Sequence, residues 1–485
     1  MQNLNHSRPI DVHVWSEHTE LGALVDELWL RYFLVNAQQT SRRGPKPKAS
    51  KKSHLKTLLL DLYVCWLNDP QMYLAVHMSK SGWKANSRYN ALHLSSQMIL
   101  IIKQLVELDF LEFHIGYEGR LSRVRAHERL QILFRAITMP LSAVSFHHIQ
   151  EVLELRGDAD TGTSSAKPKL EYSDTEQTKK MRRVLEEYNA LLYRSHLDVC
   201  SFEEPYLDRV ITRGIRAGDT IRVHVDHRNT FVKRVFNNSS WELGGRFYGG
   251  WWQQIDKRLR TDIMINDTPT VEIDFKAMHV ALLFSEIGAC HDYDPYSLSK
   301  TVFPEDKNFD QRSAVKQLVL MAINAKTKMK AFSAFRNDQP AGHPFKRLTN
   351  LELSKLLDAF INQHPKLEPY LCTGKGLILM FIDSCIAEHV ISHFTRLAVP
   401  ILCIHDSFIV PHDQVLELRA TMSEAGNKYA KRFMFTDKDG YGLDEWFSAY
   451  ENTGEQPIWG FKRSVKCAGY ARRLKLAQQK EINTT

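Results

Sequence analysis

Two aspartates stand at the ends of strand-like apolar runs. One closes Thr270-Val271-Glu272-Ile273-Asp274-Phe275. The other follows Pro400-Ile401-Leu402-Cys403-Ile404 as His405-Asp406, with Ser407-Phe408-Ile409-Val410-Pro411 behind it. Two strand-borne carboxylates are what two-metal phosphoryl transfer requires, since each can hold a divalent cation beside a phosphate. Each also has a plainer reading. Asp274 precedes the apolar, helix-forming Met278–Phe284 and suits a helix cap. Asp406 sits where a hairpin turn is expected and suits an aspartate that satisfies local amides.

Between them the spacing predicts a helix over Asp310–Ala325. Arg312 and Lys316 are four apart and share a face, and Asn324 lies two such steps further on. A triphosphate between that face and two aspartate-bound cations would have its charge neutralised; the plainer reading is an amphipathic surface helix. Upstream, Gly244–Gln254 interleaves four glycines with Arg246, Phe247, Tyr248, Trp251 and Trp252. Glycines let backbone approach a ligand closely. Arg246 suits phosphate and the aromatics suit bases, or they anchor a loop. Arg258 and Arg260 extend the positive character.

These residues need a scaffold, and the chain has ample length for one. Its 485 residues imply two or three domains. The 43% apolar content is that of a folded protein, and the net charge of +8 permits a nucleic-acid partner without requiring one. The N-terminal residues lack a signal-peptide core, no apolar stretch is expected to reach the roughly 20 residues of a membrane span, and the seven cysteines show no paired CxxC spacing. A cytoplasmic, reduced protein is expected, with no membrane partner.

The predicted organisation runs in five parts. Residues 1–40 form a small segment with apolar Leu21, Leu24, Leu28 and Leu30. Residues 41–53 form a basic linker, Ser41 to Ser53, either a solvated tether or a tract that touches phosphate backbone. Residues 54–155 form a mainly helical accessory domain, in which Leu108–Tyr117 is either a helix end or a short strand and turn; a winged-helix-like module fits this part. Residues 156–172 form the main linker. Residues 173–485 form the chemical domain, with a helix over Thr175–Tyr193, a strand over Thr220–Asp226 and a basic tail after Phe461.

The order of the chemical segments resembles the palm and fingers of single-subunit polymerases, namely the family A DNA polymerases and the bacteriophage-type or mitochondrial RNA polymerases. Asp274 matches the aspartate that ends the first palm strand. Arg312 and Lys316 match the paired cations of the fingers helix. His405 and Asp406 match the histidine-aspartate of the later palm hairpin, and Ser407 resembles the RNA polymerase form. Gly245-Arg246-Phe247-Tyr248 resembles a template-contacting glycine-arginine element. The likeness spans roughly residues 220–430. The chain departs from it at His279, where the DNA enzymes carry glutamate, at Asn324-Ala325, where they carry an aromatic and glycine, and at Leu320, the stacking position.

The resemblance implies an α+β fold: a right-hand polymerase palm with small helical fingers and a thumb-like region, behind a mainly helical N-terminal domain. It implies a DNA-directed nucleotidyltransferase, similar to the family A-related polymerase-primases of bacterial mobile elements, acting in primer synthesis. Alternatives are a primer-dependent DNA polymerase without priming activity and an inactive replication-associated DNA-binding protein. Asp274 and Asp406 are the expected metal ligands for two Mg2+ ions, with Mn2+ as substitute. Lys316 and Arg312 are expected on the phosphates, His405 at the primer end, and Asn324, His279 and Phe275 about the nucleotide. Arg246, Tyr248 and Arg260 are expected on nucleic acid. The implied partners are nucleoside triphosphates, a single-stranded DNA template, a primer strand, and a replicative helicase or small accessory protein.

Overall fold

The computed structural model describes residues 4–34, 49–117, 120–140, 143–146, 150–158, 167–211, 218, 220–289, 293–305, 308–340, 342–430 and 465–484. The chain divides into two compact units, Met1–Glu151 with Asp219–Ile221, and Val152–Gly218 with Arg222–Thr485.

In the first unit the helix Thr19–Leu28 buries Leu21, Leu24, Val25 and Leu28, a stripe of helical period. Leu30 breaks from that stripe and is 60% exposed. The helix widens into a π turn at Trp29–Phe33, which gives the buried position to Phe33. The next helix, Lys51–Asn68, starts inside the expected linker because Ser50 caps it: Ser50 Oγ accepts from the Ser53 amide at 3.0 Å. Residues 41–48 of that linker lie outside the described residues.

There follow the strand Tyr73–Val76, a 3-10 turn at Lys80–Gly82, the helix Gln97–Glu107, and the strands Leu111–His114 and Ser122–Ala126. Ser122–Ala126 lies between Leu111–His114 and Tyr73–Val76, antiparallel to both, and Ser7–Pro9 adds in parallel to Tyr73–Val76. Helix still makes up most of the regular structure described in this unit, and a four-stranded sheet accompanies it. Its strands have three to five residues, too few for alternation to outweigh the helical pattern around them. Asp109, at φ 57°, stops the helix and turns Phe110 into the core.

The second unit begins earlier than the sequence reading placed it. Leu153–Leu155 pairs in parallel with Val232–Phe236, which in turn pairs with Gly244–Gly249. Residues 159–166 of the expected linker lie outside the described residues, and Arg156 and Lys169 on either side are bridged. Thr175 opens the helix Glu176–Arg194 with a reciprocal capping box.

The main sheet has five antiparallel strands in the order Leu402–Ile404, Ser407–Pro411, Thr268–Asp274, Ile263–Ile265, Leu197–Val199. Thr270 to Ile273 is buried without a break. This is why the strand reads as a run rather than an alternation. The helices Met278–Glu286, Gln311–Asn324, Lys328–Asn337, Asn350–Gln363, Gly376–Arg396 and Val415–Ala430 complete the unit.

The helix Gly376–Arg396 packs on the strand Gly244–Gly249 and on the helices Glu176–Arg194, Met278–Glu286 and Val415–Ala430. Among the described residues it is the one helix long and apolar enough to cross a membrane by length and composition, a length that the sequence reading did not expect. Its Leu379, Ile386, Val390, Ile391 and Phe394 are buried together with Asp383 and Ser384, the pattern of a core helix. The helix Ala468–Thr484 returns to the far edge of the sheet. There the Cys467 amide donates to Cys200 O, Tyr470 Oη donates to Asp267, and Arg473 holds both oxygens of Asp198 at 2.7 and 3.0 Å. This part of the basic tail serves as an anchor; Lys462 and Arg463 lie outside the described residues.

Candidate active site

The hydrogen-bond ladder brings the two aspartates together. Thr268–Asp274 and Ser407–Pro411 are in register from Thr270 opposite Pro411 to Asp274 opposite Ser407. The Phe275 amide then donates to Asp406 O at 3.2 Å. Ile404 faces Ser407 across the hairpin, which leaves His405 and Asp406 as a two-residue turn. His405 has φ 59°, as the first position of such a tight turn demands. A side chain there costs about 1 kcal/mol relative to glycine. Asp274 is not a helix cap, because that position before Met278–Glu286 falls to Ala277.

A third carboxylate completes the site. Asp383 projects from the middle of Gly376–Arg396 and is 1% exposed. Arg246 reaches it from the adjoining strand, donating through Nε at 2.9 Å and also through Nη2. His279 Nε2 lies 2.9 Å from Arg246 Nη2 and 3.3 Å from Asp383 Oδ2. Asp383 Oδ1, His279 Nδ1 and His405 Nδ1 are buried and have no hydrogen-bond partner among the described residues. Buried polar atoms are normally paired, and a group of unpaired ones is a feature of sites that await a ligand.

Electrostatics follow from this crowding. Burial, and then the Asp383 carboxylate, push Asp406 above the usual carboxylate range, with Arg246 pulling the other way. Burial, and then Arg246, push His405 down to about 4, so it is neutral at pH 7. Burial opposes the Arg246 cation, but Asp383 and Asp406 outweigh it and raise its pKa. One guanidinium thus serves several carboxylates, and a further cation would relieve the excess.

The basic helix has the expected faces. Gln311–Asn324 is capped by Asp310, buries Ala314, Val315, Leu318, Val319, Ala322 and Ile323, and exposes Arg312 and Lys316. Arg312 pairs with Asp294, whereas Lys316 has no ion-pair partner among the described residues. Tyr296 links this helix to the carboxylates. Burial raises its pKa first, then Asp294 and Asp406, while Arg312 lowers it. Both Asp406 and Arg312 are thus within electrostatic reach of one buried phenol.

Other sequence candidates fall into different settings. Tyr248, 38% exposed, sets its ring edge-on to His405 at 5.5 Å and so belongs to the site. Phe275 is 2% exposed and packs in the core. Asn324 donates to Leu320 O at 2.7 Å and abuts Gly376, a helix-end contact. Arg260 holds Glu272 with two hydrogen bonds of 2.9 Å, and Glu272 also accepts from Ser407 Oγ at 2.6 Å. This cluster fixes the strand pair rather than presenting Arg260 outward. The Gly244–Gln254 loop resolves into a strand and a turn whose Trp251 and Trp252 are fully buried.

Sequence reasoning missed Asp383 as a site residue, along with Glu272 and Tyr296. A signal for Asp383 was present. An aspartate in the middle of a long apolar helix must find a cation, because burying a lone carboxylate is costly. Neither a scan of protein-family models nor a search of curated proteins finds a match to the chain. Among the described residues no group of three or more His, Cys, Asp or Glu is arranged to hold a metal. Two neighbouring carboxylates fit a magnesium ion that takes its remaining ligands from substrate phosphates and water, the usual arrangement for that ion.

Proposed function

We propose that the second unit is the palm and fingers of a template-directed nucleotidyltransferase, a family A-like DNA polymerase acting in primer synthesis for a mobile element. The observation that carries this reading is the strand ladder that sets Asp274 opposite Ser407, next to Asp406, beside Asp383 and its guanidinium partner. An excess of buried and half-buried carboxylate, with a basic helix nearby, is suited to a cation-bound polyphosphate and poorly suited to an apolar or anionic ligand alone.

In this mechanism Asp274 and Asp406 would hold the cations. Magnesium, or manganese in its place, would when bound lower the pKa of the 3'-hydroxyl and neutralise charge on the departing pyrophosphate. Lys316 binds the phosphate nearest the reacting centre and Arg312 exchanges Asp294 for the outer phosphates. Neutral His405, held edge-on by Tyr248, positions the primer terminus without adding charge. His279 stands near the sugar. Arg246 stays bonded to Asp383, and its guanidinium edge meets the template or primer backbone. The partners under this reading are a single-stranded DNA template, a primer strand and a replicative helicase or small accessory protein, in the cytoplasm.

The test is a templated extension assay with and without primer, with separate pools of ribonucleotides and deoxyribonucleotides. Product without primer supports priming. Product only with primer leaves a polymerase without it. Substantial turnover by Asp406→Asn refutes the assignment of the site.

A further inference from the structure

Two thiols far apart in the chain meet at the edge of the main sheet. Cys200 directly follows the edge strand Leu197–Val199, and Cys467 directly precedes the helix Ala468–Thr484. The Cys467 amide donates to Cys200 O at 2.9 Å. A backbone hydrogen bond of that length holds the two Cα atoms roughly 5–6 Å apart. A disulfide needs a Cα separation of about 4.4–6.8 Å. No CxxC spacing announces this pair, because only the return of the tail helix brings its members together.

The side chains also share their surroundings. Cys200, Met264 and Tyr470 form a small buried apolar cluster, and Cys467 and Leu474 pack against it. Cys65 belongs instead to the core of the first unit, and Cys372 and Cys403 to the main core of the second. The backbone on both sides is fixed. The Cys200 amide donates to Asp262 O at 2.9 Å, the Ala471 amide donates to Cys467 O at 3.1 Å, and Arg473 holds Asp198 and bonds the carbonyls of Phe202 and Glu203. With the two backbones already docked, closing the bond calls on side-chain rotation rather than on movement of the sheet or the helix.

Exposure gives the two sulfurs different roles. Cys467 is half-buried and stands at the open start of its helix, where its Sγ accepts from the Tyr470 amide at 3.4 Å. Cys200 is 2% exposed and lies beneath it. A small oxidant reaches Cys467 first, and Cys200 is placed to resolve what forms there. An accessible thiol beside a resolving one is the usual arrangement of a reversible redox pair.

We propose that Cys200 and Cys467 form a reversible disulfide, closed by a low-molecular-weight disulfide such as oxidised glutathione and reopened by a dithiol. The Cys467 sulfur attacks the small disulfide as its thiolate, a mixed disulfide forms, and one small thiolate leaves. The Cys200 thiolate then attacks the Cys467 sulfur, the protein S–S bond forms, and the second small thiolate leaves. The protein gives up two electrons and two protons, and the small disulfide becomes two thiols. In a reducing compartment such a bond is transient and responds to oxidant. Its closure makes the anchor of the tail helix covalent, on the sheet whose inner strands carry Asp274 and the Asp406 hairpin. It also ties residue 200 to residue 467, a long loop of the kind that most restricts an unfolded chain. The pair stands whether or not the second unit transfers nucleotides.

The test treats the folded full chain with oxidised glutathione, blocks the remaining thiols by alkylation, and maps the unreduced digest by mass spectrometry. The expected product is the Cys200 peptide joined to the Cys467 peptide, lost again after dithiothreitol. Cys200→Ser should stop at the mixed disulfide and keep glutathione on Cys467, whereas Cys467→Ser should leave the buried Cys200 unmodified. The oxidised parent should unfold in urea at a midpoint about 1 M above that of the reduced chain, and neither serine variant should show that rise. Glutathione retained on Cys467 of the parent overturns the proposal, as does a parent left unlinked at Cys200 and Cys467. A linked chain whose urea midpoint equals or falls below that of the reduced chain overturns the role of the bond as a clasp.

Discussion

Asp383 and Arg246 form a largely buried ion pair of the candidate site, at 1% and 16% side-chain exposure. Removing one partner of such a pair strands the other charge and costs roughly 3–5 kcal/mol, while replacing both with apolar groups costs far less. Arg246 retains Asp406 as a neighbour, and Asp383 retains His279. The lower end of that range therefore applies. We expect Asp383→Leu and Arg246→Met each to cost about 3 kcal/mol, and the double variant about 2, so that the coupling is about 4 kcal/mol. Urea unfolding followed by tryptophan fluorescence reads this directly, because Trp251 and Trp252 are fully buried in the same unit. With a denaturant slope of about 3 kcal/mol/M, each single variant should lower the midpoint by about 1 M. A coupling below about 1 kcal/mol would show that carboxylate and guanidinium do not depend on each other, and the reasoning about the third carboxylate would fall with it.

Three further outcomes follow from the same geometry. Asp406→Asn should abolish nucleotidyl transfer yet raise the melting temperature, since it removes a carboxylate that burial and Asp383 hold above its ordinary pKa; a lowered melting temperature contradicts this. Glu154, held down to about 2 by Lys233, Lys169 and Arg156 against the effect of burial, contributes stability that is fully present above its unfolded pKa near 4.5. That contribution is lost as pH falls from there toward 2. Its partners are partly exposed, so Glu154→Gln should cost about 2 kcal/mol at pH 7 and flatten the acid limb of a stability profile measured between pH 2 and 6. Gly245, at φ 77°, has no room for a methyl group beside Ser384 Oγ and the Phe236 ring, so Gly245→Ala should destabilise by about 2 kcal/mol in chemical denaturation.

The strands and the basic helix were legible because their signals are local. Thr270 to Ile273 is buried on both faces and so reads as a continuous run, and the Arg312–Lys316 spacing survives on an exposed helix face. The proximity of Asp274 to Asp406 was inferred from order along the chain, and the ladder sets Asp274 opposite Ser407, the residue next to Asp406. Less legible were features that exist only in three dimensions. Arg260 reads as a nucleic-acid contact, but it and Ser407 both bond Glu272, a carboxylate in the middle of a buried strand. Phe275 adjoins a site aspartate in sequence yet points into the core, since neighbours on a strand face opposite ways. The tryptophans of the glycine-rich stretch looked available for stacking, whereas the Gly249–Gly250 corner folds them inward. The sheet of the first unit was hidden by strands too short to show a period.

The anchoring of Ala468–Thr484 has a practical consequence for dissecting this protein. Every residue proposed for chemistry lies before Val415, so a shortened chain ending there or soon after would keep the whole catalytic set. Such a chain would nevertheless lose Arg473 from Asp198, Tyr470 from Asp267 and the backbone bond to Cys200. A buried carboxylate would be left without its cation, and the Leu197–Val199 strand would be bare along one side. Fragments trimmed to the catalytic residues should therefore come out of solution, and inactivity in such a fragment would report on a missing anchor and not on missing chemistry.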